Sequence, residues 1–223
     1  MLKGIIFDMD GTITLTEQLH HRAFSQIFKA YGIDFSYEEQ LKRFAGSGSN
    51  AIFPRVFAEH GVSVSAEEIE KCITQKRELY TKIVQEAEVP FVEGVHEFVK
   101  MTEEKGLKRI IATGNGSLEA VHYLLAKINL DQYFPEIISV KDVPRGKPFP
   151  DVFLEAARHM GCAPEECVVL EDSINGVQAA TQGLIRCIAF ETTTSAAELY
   201  KAGAVAVLKN YTFITDDLLY GNS

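Results

Sequence analysis

Residues 4–14 read GIIFDMDGTIT, an apolar run that stops at two aspartates. A short, continuous apolar run with β-branched residues is typical of a strand that is buried on both faces, as in a parallel sheet. Asp8 and Asp10 follow directly after this predicted strand. Because ligands of open α/β sheets bind outside the carboxyl ends of the strands, we expect both carboxylates at the mouth of a crevice.

Two different patterns follow this stretch. From about residue 15 to 87, helical periodicity and Ser-x-x-Glu capping boxes at Ser36 and Ser65 predict helices and no strand. From residue 88 onward, apolar strands alternate with amphipathic helices, which favours a doubly wound parallel sheet. We therefore predict an α/β fold with a core domain, residues 1–14 and 88–223, and an inserted helical cap domain, residues 15–87, joined by two hinges.

The composition is that of a globular protein with no nucleic-acid or membrane partner. The chain has 223 residues and a formal net charge of -9, whereas nucleic-acid binding needs clustered Lys and Arg. Its apolar runs are far shorter than a membrane span, and its N-terminus lacks a leader-like pattern. We expect a cytoplasmic monomer, with an oligomer left open. The four cysteines have no CxxC spacing, so we expect buried reduced thiols.

Polar residues follow the predicted strands where these end. Since the carboxyl ends of parallel strands meet at one edge, we expect these residues to converge: Asp8, Asp10, Thr113, Asn115, Lys147, Glu171 and Asp172. Four neighbouring carboxylates repel one another, and a hard cation bound by oxygen ligands relieves that repulsion, which favours Mg²⁺. The ammonium of Lys147 and the hydroxyl of Thr113 suit a phosphate group.

Four of these segments resemble the motifs of the haloacid dehalogenase superfamily. DMDGT at 8–12 is similar to its first motif, Thr113 to its second, Lys147 in GKPFPD to its third, and Glu171-Asp172-Ser173 to its fourth. The motifs occur in order across nearly the whole chain, and the helical insert resembles the small C1-type cap of that family. The layout is most similar to the β-phosphoglucomutase and sugar-phosphate phosphatase branch.

The resemblance implies a role for each matching residue. Asp8 would attack phosphorus to give an aspartyl phosphate, and Asp10 would protonate the leaving oxygen and then activate water. Thr113 and Lys147 would hold the phosphoryl oxygens. Mg²⁺ would be held by Asp8, the backbone carbonyl of Asp10, Asp172 and Glu171. The partner implied is a small phosphorylated substrate.

Substrate specificity is expected on the cap and beside the second motif. Thr16 and His20 resemble positions beside the site in the mutase branch, and the loop from Gly46 to Asn50 would face the crevice. The predicted substrate-binding residues are Thr16, His20, Gly46, Ser47, Ser49, Asn50, Gly114 and Asn115.

Three functions stay open, of which a Mg²⁺-dependent phosphatase is favoured. A phosphosugar mutase would grip a second phosphate with cap cations, but the residues flanking Gly46 are uncharged, and Lys42, Arg43 and Arg55 lie in other helical phases.

Asp10 argues against carbon–halogen chemistry, since the dehalogenase branch lacks this second acid. A phosphonatase would need a cap lysine such as Lys42, whose burial no pattern indicates. A non-catalytic interaction module has no need of the clustered acids.

Overall fold

The computed structural model of the protein describes residues 1–44 and 47–221. The strands are β1 (Gly4–Phe7), β2 (Lys108–Thr113), β3 (Ile137–Ser139), β4 (Cys167–Glu171), β5 (Arg186–Phe190) and β6 (Ala206–Leu208). The helices are α1 (Glu17–Lys29), α2 (Tyr37–Phe44), α3 (Ser49–Glu59), α4 (Ala66–Glu86), α5 (Val95–Glu104), α6 (Leu118–Lys127), α7 (Asp151–Met160), α8 (Ile174–Gln182), α9 (Ala196–Ala202) and α10 (Asp216–Tyr220).

Within the described residues, the strands form one six-stranded sheet in the order β3-β2-β1-β4-β5-β6. All neighbouring strands are parallel. The chain therefore has the α/β, doubly wound parallel sheet that its sequence predicts. Strand β1 lies at the centre, between β2 and β4, so its carboxyl end lies beside theirs.

The apolar run of β1 is continuous because both faces of the sheet are covered. Ile5 and Phe7 belong to an apolar cluster on one face, and Ile6 belongs to the cluster on the other. Successive side chains of a strand point to opposite faces, so a strand covered twice needs apolar residues at every position. All three side chains have no exposed surface.

Helices α1 to α4 follow β1 and include a third apolar cluster, rich in phenylalanine. As predicted, no strand occurs in the described part of residues 15–87. The hydroxyl groups of Ser36 and Ser65 each accept a backbone N–H hydrogen bond at 3.1 Å, as expected of helix N-caps. Tyr80 of α4 belongs to the sheet cluster instead.

The two chain crossings at the helical block lie side by side. Thr14 forms an isolated bridge with Phe91, and the N–H of Leu15 donates to the carbonyl of Pro90 at 2.8 Å. The predicted division into two hinged domains stays a prediction.

Strand β6 begins only at Ala206, because the Ala204 N–H still closes the end of α9 on the carbonyl of Leu199. All four cysteines are buried and free. Within residues 1–44 and 47–221, each helix is too short or too polar to cross a bilayer.

Candidate active site

Three buried carboxylates meet where β1 and β4 end. The register pairs Phe7 with Leu170, and the N–H of Asp8 donates to the Leu170 carbonyl at 2.9 Å. Asp8 therefore lies beside Glu171 and Asp172, which end and follow β4. One carboxylate oxygen from each residue lies within 4.8 Å of the others. The predicted convergence of these acids at one sheet edge is observed.

Lys147 links two of these acids from the loop between β3 and α7. Its Nζ contacts Oδ1 of Asp8 and lies 2.7 Å from Oε1 of Glu171. Only 7% of its side chain is exposed. Burial by itself lowers the pKa of Lys147, but the charges of Asp8 and Glu171 outweigh that effect and raise it. Lys147 is therefore a fixed positive charge at the site.

Glu171 is held at both carboxylate oxygens. Its Oε2 accepts the N–H groups of Asp172 and Ser173, each at 2.7 Å, and the Ser173 hydroxyl at 2.9 Å. The carboxylate packs against Gly176 at the start of α8, where a Cβ would lie 1.7 Å from Oε1. Glu171 thus has little freedom to rotate, which fixes the Lys147 ammonium that it binds.

Asp172 is oriented by two threonines. The hydroxyl of Thr193, in the loop after β5, donates to Oδ2, and the hydroxyl of Thr12 lies 3.4 Å from Oδ1. Burial raises the pKa of Asp172 well above its ordinary value, and the charges of Glu171 and Asp8 raise it further. The two hydroxyl groups bring no positive charge to Asp172, so a cation bound beside it would favour its ionised form.

The residues of this cluster fit a divalent metal ion. Burial raises the pKa of Asp8 to about 8 despite the Lys147 charge, with Glu171 and Asp10 adding repulsion. Lys147 binds two of the three acids, Asp8 and Glu171, which leaves Asp172 without a cationic partner among the described residues. An all-oxygen donor set with excess negative charge is the kind that Mg²⁺ prefers.

The side chain of Asp10 is directed toward the helical block. Its Oδ1 accepts from the hydroxyl of Thr16 at 2.5 Å, from Nε2 of His20 at 3.2 Å and from the hydroxyl of Tyr80 at 3.3 Å. Burial favours a raised pKa, but His20, the Thr16 hydrogen bond and the Lys76 charge together lower it to about 2. Asp10 is therefore ionised. Its predicted metal contact, through the backbone carbonyl, stays a prediction.

The buried side chain of Lys76 contacts His20 at the ring nitrogen that does not face Asp10. Nζ of Lys76, on α4, lies 2.7 Å from Nδ1 of His20. The same atom lies 4.6 Å from the ring centroid of Phe24 and 4.7 Å from that of Tyr80, within the range of cation–π contacts. Burial is the main cause that lowers the pKa of Lys76, to about 8. His20 also stacks on the Tyr80 ring at 3.9 Å. A chain of polar contacts thus runs from Asp10 to Lys76.

These groups open into one cavity of about 640 Å³, large enough for a small metabolite. Most of the predicted site residues line it: Asp8, Asp10, His20, Ser47, Ser49, Asn50, Gly114, Asn115, Lys147, Glu171 and Asp172. Thr16 is fully buried beneath Asp10, and Thr113 is fully buried with its hydroxyl accepting the Asn115 N–H at 3.0 Å. Neither of these two threonines lines the cavity in the described residues. Gly46 lies outside the described residues.

Sequence reasoning missed the cations of the helical block that reach the cavity. Lys76 and Arg77 line it, whereas Arg43 and Arg55 bind Glu59 on the surface. Lys42 lies in a separate, shallow surface groove with Glu38 and Glu39. The signal was present in α4, because residues 76 and 77 fall at helical spacing between Ile73 and Tyr80, on the buried face.

Comparisons with known proteins agree with this geometry. The family model described as haloacid dehalogenase-like hydrolase matches residues 5–190. A phosphorylated carbohydrates phosphatase of Thermotoga maritima is 28% identical over 93% of this chain and 94% of its own. The fructose-1-phosphate phosphatase YqaB of Escherichia coli is 30% identical over 79% of this chain and 90% of its own.

A solved structure extends the likeness to three dimensions. CbbY from Rhodobacter sphaeroides, in complex with phosphate, superposes with a TM-score of 0.83 at 30% identity, and the match covers 94% of this chain and 95% of that one. The sheet order, the acids at the strand ends and these matches lead to one conclusion: the chain belongs to the haloacid dehalogenase-like hydrolase family.

Proposed function

We propose that the protein is a Mg²⁺-dependent phosphatase of small phosphorylated metabolites, with sugar phosphates as the leading class. The observation that carries the proposal is the Asp8 carboxylate, held by Lys147 beside Glu171 and Asp172 in a cavity of metabolite size. The names of the relatives from Thermotoga maritima and Escherichia coli support the sugar-phosphate class.

The first step is nucleophilic attack by Asp8. A carboxylate oxygen forms a bond to phosphorus while the bond from phosphorus to the sugar oxygen breaks, which leaves an aspartyl phosphate. Lys147 orients Asp8 and offers its remaining ammonium hydrogen to a phosphoryl oxygen. Asp10 transfers a proton to the leaving sugar oxygen. The negative charge of the incoming phosphate raises the pKa of Asp10, which favours the protonated form for this step.

The second step regenerates the enzyme. Asp10, now ionised, removes a proton from water, and the water oxygen attacks phosphorus. The bond from phosphorus to Asp8 breaks, which releases inorganic phosphate and the free carboxylate. The contacts from Thr16, His20 and Tyr80 stabilise the ionised form of Asp10 between turnovers.

Asp8 and Asp172 are the side chains proposed to hold Mg²⁺, with the Asp10 carbonyl and with Glu171 as a further, outer contact. When bound, Mg²⁺ supplies positive charge that reduces repulsion between the anionic phosphate and the attacking carboxylate. Glu171 is assigned the outer place because Lys147, two N–H groups and a hydroxyl already occupy its oxygens. Thr12 and Thr193 contact the two carboxyl oxygens of Asp172, which would hold this side chain in place for a bound ion.

A phosphosugar mutase is the alternative within the same chemistry, because it also passes through a phosphorylated aspartate. A mutase needs a cation that holds a second phosphate. Lys76 and Arg77 of the helical block line the cavity and are the candidates for this role. Lys76 is held by His20, so of these two cations Arg77 is the one left to act in that way. We favour hydrolysis, in a cytoplasmic monomer whose partner is a small phosphorylated substrate.

The test is an assay of purified protein with Mg²⁺ across sugar phosphates, nucleotides and pyrophosphate, read as released inorganic phosphate. Sugar phosphates are expected to give the highest kcat/KM. A parallel reaction with β-glucose 1-phosphate and a trace of the bisphosphate separates the two functions. Glucose 6-phosphate formed faster than free phosphate would identify a mutase, and no turnover of any ester would refute both.

A further inference from the structure

Arg77 lies against the loop that follows β2. The backbone of Gly116 leaves open the space that its guanidinium fills, since a Cβ on Gly116 would lie 2.9 Å from Nε and 3.2 Å from Cζ of Arg77. Arg77 and Gly116 both line the cavity that holds Asp8. An arginine of the helical block therefore forms part of the wall of the cavity that also holds the carboxylates.

The charge of Arg77 has no carboxylate partner among the described residues. Three other cations of the cavity are occupied: Lys147 binds Asp8 and Glu171, Arg145 binds Asp151 at 2.8 Å, and Lys76 lies 2.7 Å from His20. Lys141 also lines the cavity and therefore needs a variant of its own as a control. A half-buried guanidinium without a counter-ion is a ready site for an anionic ligand, because its planar set of N–H donors matches carboxylate and phosphate oxygens.

We propose that Arg77 binds a second anionic group of the substrate, at the end remote from the phosphoryl group that Asp8 attacks. The preferred substrates are then small metabolites that carry two anionic ends, such as phosphorylated sugar acids or sugar bisphosphates, over singly charged sugar phosphates. The inference deepens the proposed phosphatase function and rests on it for the position of the phosphoryl group.

Gly116 helps to position the Arg77 guanidinium, because its missing side chain leaves the space that the guanidinium fills. Its backbone has no left-handed φ, so an alanine there is free of backbone strain, and the three atoms nearest to its Cβ would all belong to the end of the Arg77 side chain. Gly116→Ala therefore displaces the guanidinium without removing its charge. Arg77→Gln removes the charge and leaves the loop unchanged. The two variants act on one contact by different means.

The experiment compares pairs of ligands that differ at one end only. 6-Phosphogluconate and sorbitol 6-phosphate share an open six-carbon chain and differ in a carboxylate against a hydroxymethyl group. Fructose 1,6-bisphosphate and fructose 6-phosphate test a phosphate at that end. Dissociation constants are measured by calorimetry with Mg²⁺ in an Asp8→Asn background, which prevents consumption of the ligand, and kcat/KM is measured with Asp8 in place.

The protein is expected to bind the doubly anionic member of at least one pair more tightly. Arg77→Gln should reduce that affinity ratio about 10- to 100-fold, the range for a hydrogen bond between charged groups. Gly116→Ala should reduce it in the same direction, and the double variant should lose no more than Arg77→Gln alone. Lys82→Gln, which removes an exposed charge from the same helix, should leave the ratio unchanged.

The outcomes separate this inference from the proposed function. Phosphate release from both members of each pair, with affinity ratios near one or unaffected by Arg77→Gln, would overturn the role of Arg77 and leave the phosphatase intact. Affinity ratios that depend on Arg77, without turnover of any ester, would support the anion site and refute the phosphatase. Lys141→Gln removes another cavity charge. If it lowers the ratio as much as Arg77→Gln does, the effect is general positive potential, and the assignment to Arg77 is wrong.

Discussion

Nζ of Lys76 lies 2.7 Å from Nδ1 of His20, and this contact fixes the tautomer of the ring. A lysine ammonium can only donate hydrogen bonds, so Nδ1 accepts and the ring hydrogen lies on Nε2. Nε2 is the atom that faces Oδ1 of Asp10, at 3.2 Å. Lys76 thus supplies Asp10 with a hydrogen-bond donor without touching it.

The burial of Lys76 predicts a specific dependence of stability on pH. Its pKa in the folded protein is about 8, below the ordinary 10.5, mainly because of burial. Between these values the unfolded chain binds more protons than the folded one, so the free energy of unfolding rises with pH. Relative to Lys76→Met, the wild type is expected to gain stability from pH 8 to 10.5, measured by urea denaturation.

The matched control for that measurement is Lys82→Met, on the exposed side of the same helix. Its stability difference from the wild type should stay constant over the same pH range. A constant difference for Lys76→Met as well would show that Lys76 titrates alike in the folded and unfolded chains.

Asp8→Asn is expected to abolish turnover while the fold is kept. The amide has the shape of the carboxylate but cannot attack phosphorus, so kcat should fall on the order of 10⁴-fold or more. Phosphate release and circular dichroism measure the two effects. Asp216→Asn, at a surface pair with Lys105, serves as the control and should retain full activity. Activity of Asp8→Asn within tenfold of the wild type would exclude Asp8 as the nucleophile.

Activity is expected to require Mg²⁺ and to be inhibited by Ca²⁺. Ca²⁺ accepts more oxygen ligands at longer distances, so it can engage both oxygens of Asp8 and turn the attacking one away from phosphorus. The measurement is phosphate release after chelation, then after readdition of each metal. Because binding to the folded state stabilises it, Mg²⁺ should also raise Tm. Full activity after exhaustive chelation would disprove the metal site.

Thr193→Val is expected to weaken Mg²⁺ binding by about tenfold, because partners that orient a metal ligand typically contribute 10- to 100-fold. The variant removes the hydroxyl that donates to Oδ2 of Asp172. Calorimetric titration with Mg²⁺ measures the change. Thr194→Val is a close control, since its buried hydroxyl has no partner in the described chain, and its replacement should leave Mg²⁺ affinity unaltered. Equal affinities for all three proteins would show that Thr193 has no such role.

The part of the site that the sequence predicts is the part that the strands position. Asp8 follows β1 and Glu171 ends β4, so a parallel register alone brings them together. The same rule applied to β5 would have found Thr193, which lies three residues after its end at Phe190. The positions of Asp8, Glu171 and Asp172 thus follow from local pattern and topology.

Residues of the helical block were harder to predict, since charged residues on helices are usually solvated. Helical spacing places Lys76 and Arg77 near the buried face of α4, but which part of the molecule that face covers depends on packing that the spacing does not state. Lys147 was predicted at the site because its loop follows β3, but the pattern did not state which acids it binds. The cations of a site are therefore predicted less well than acids at strand ends.

The close packing of Glu171 on Gly176 has a practical consequence for the interpretation of other sequences. A Cβ at position 176 would overlap the Glu171 carboxylate, at 1.7 Å from Oε1. A homologous chain with any larger residue at that point must hold its acid differently, even if the acid itself is retained. The residue five positions after the end of β4, in the first turn of α8, thus tells a genome annotator whether Lys147 can be anchored in this way.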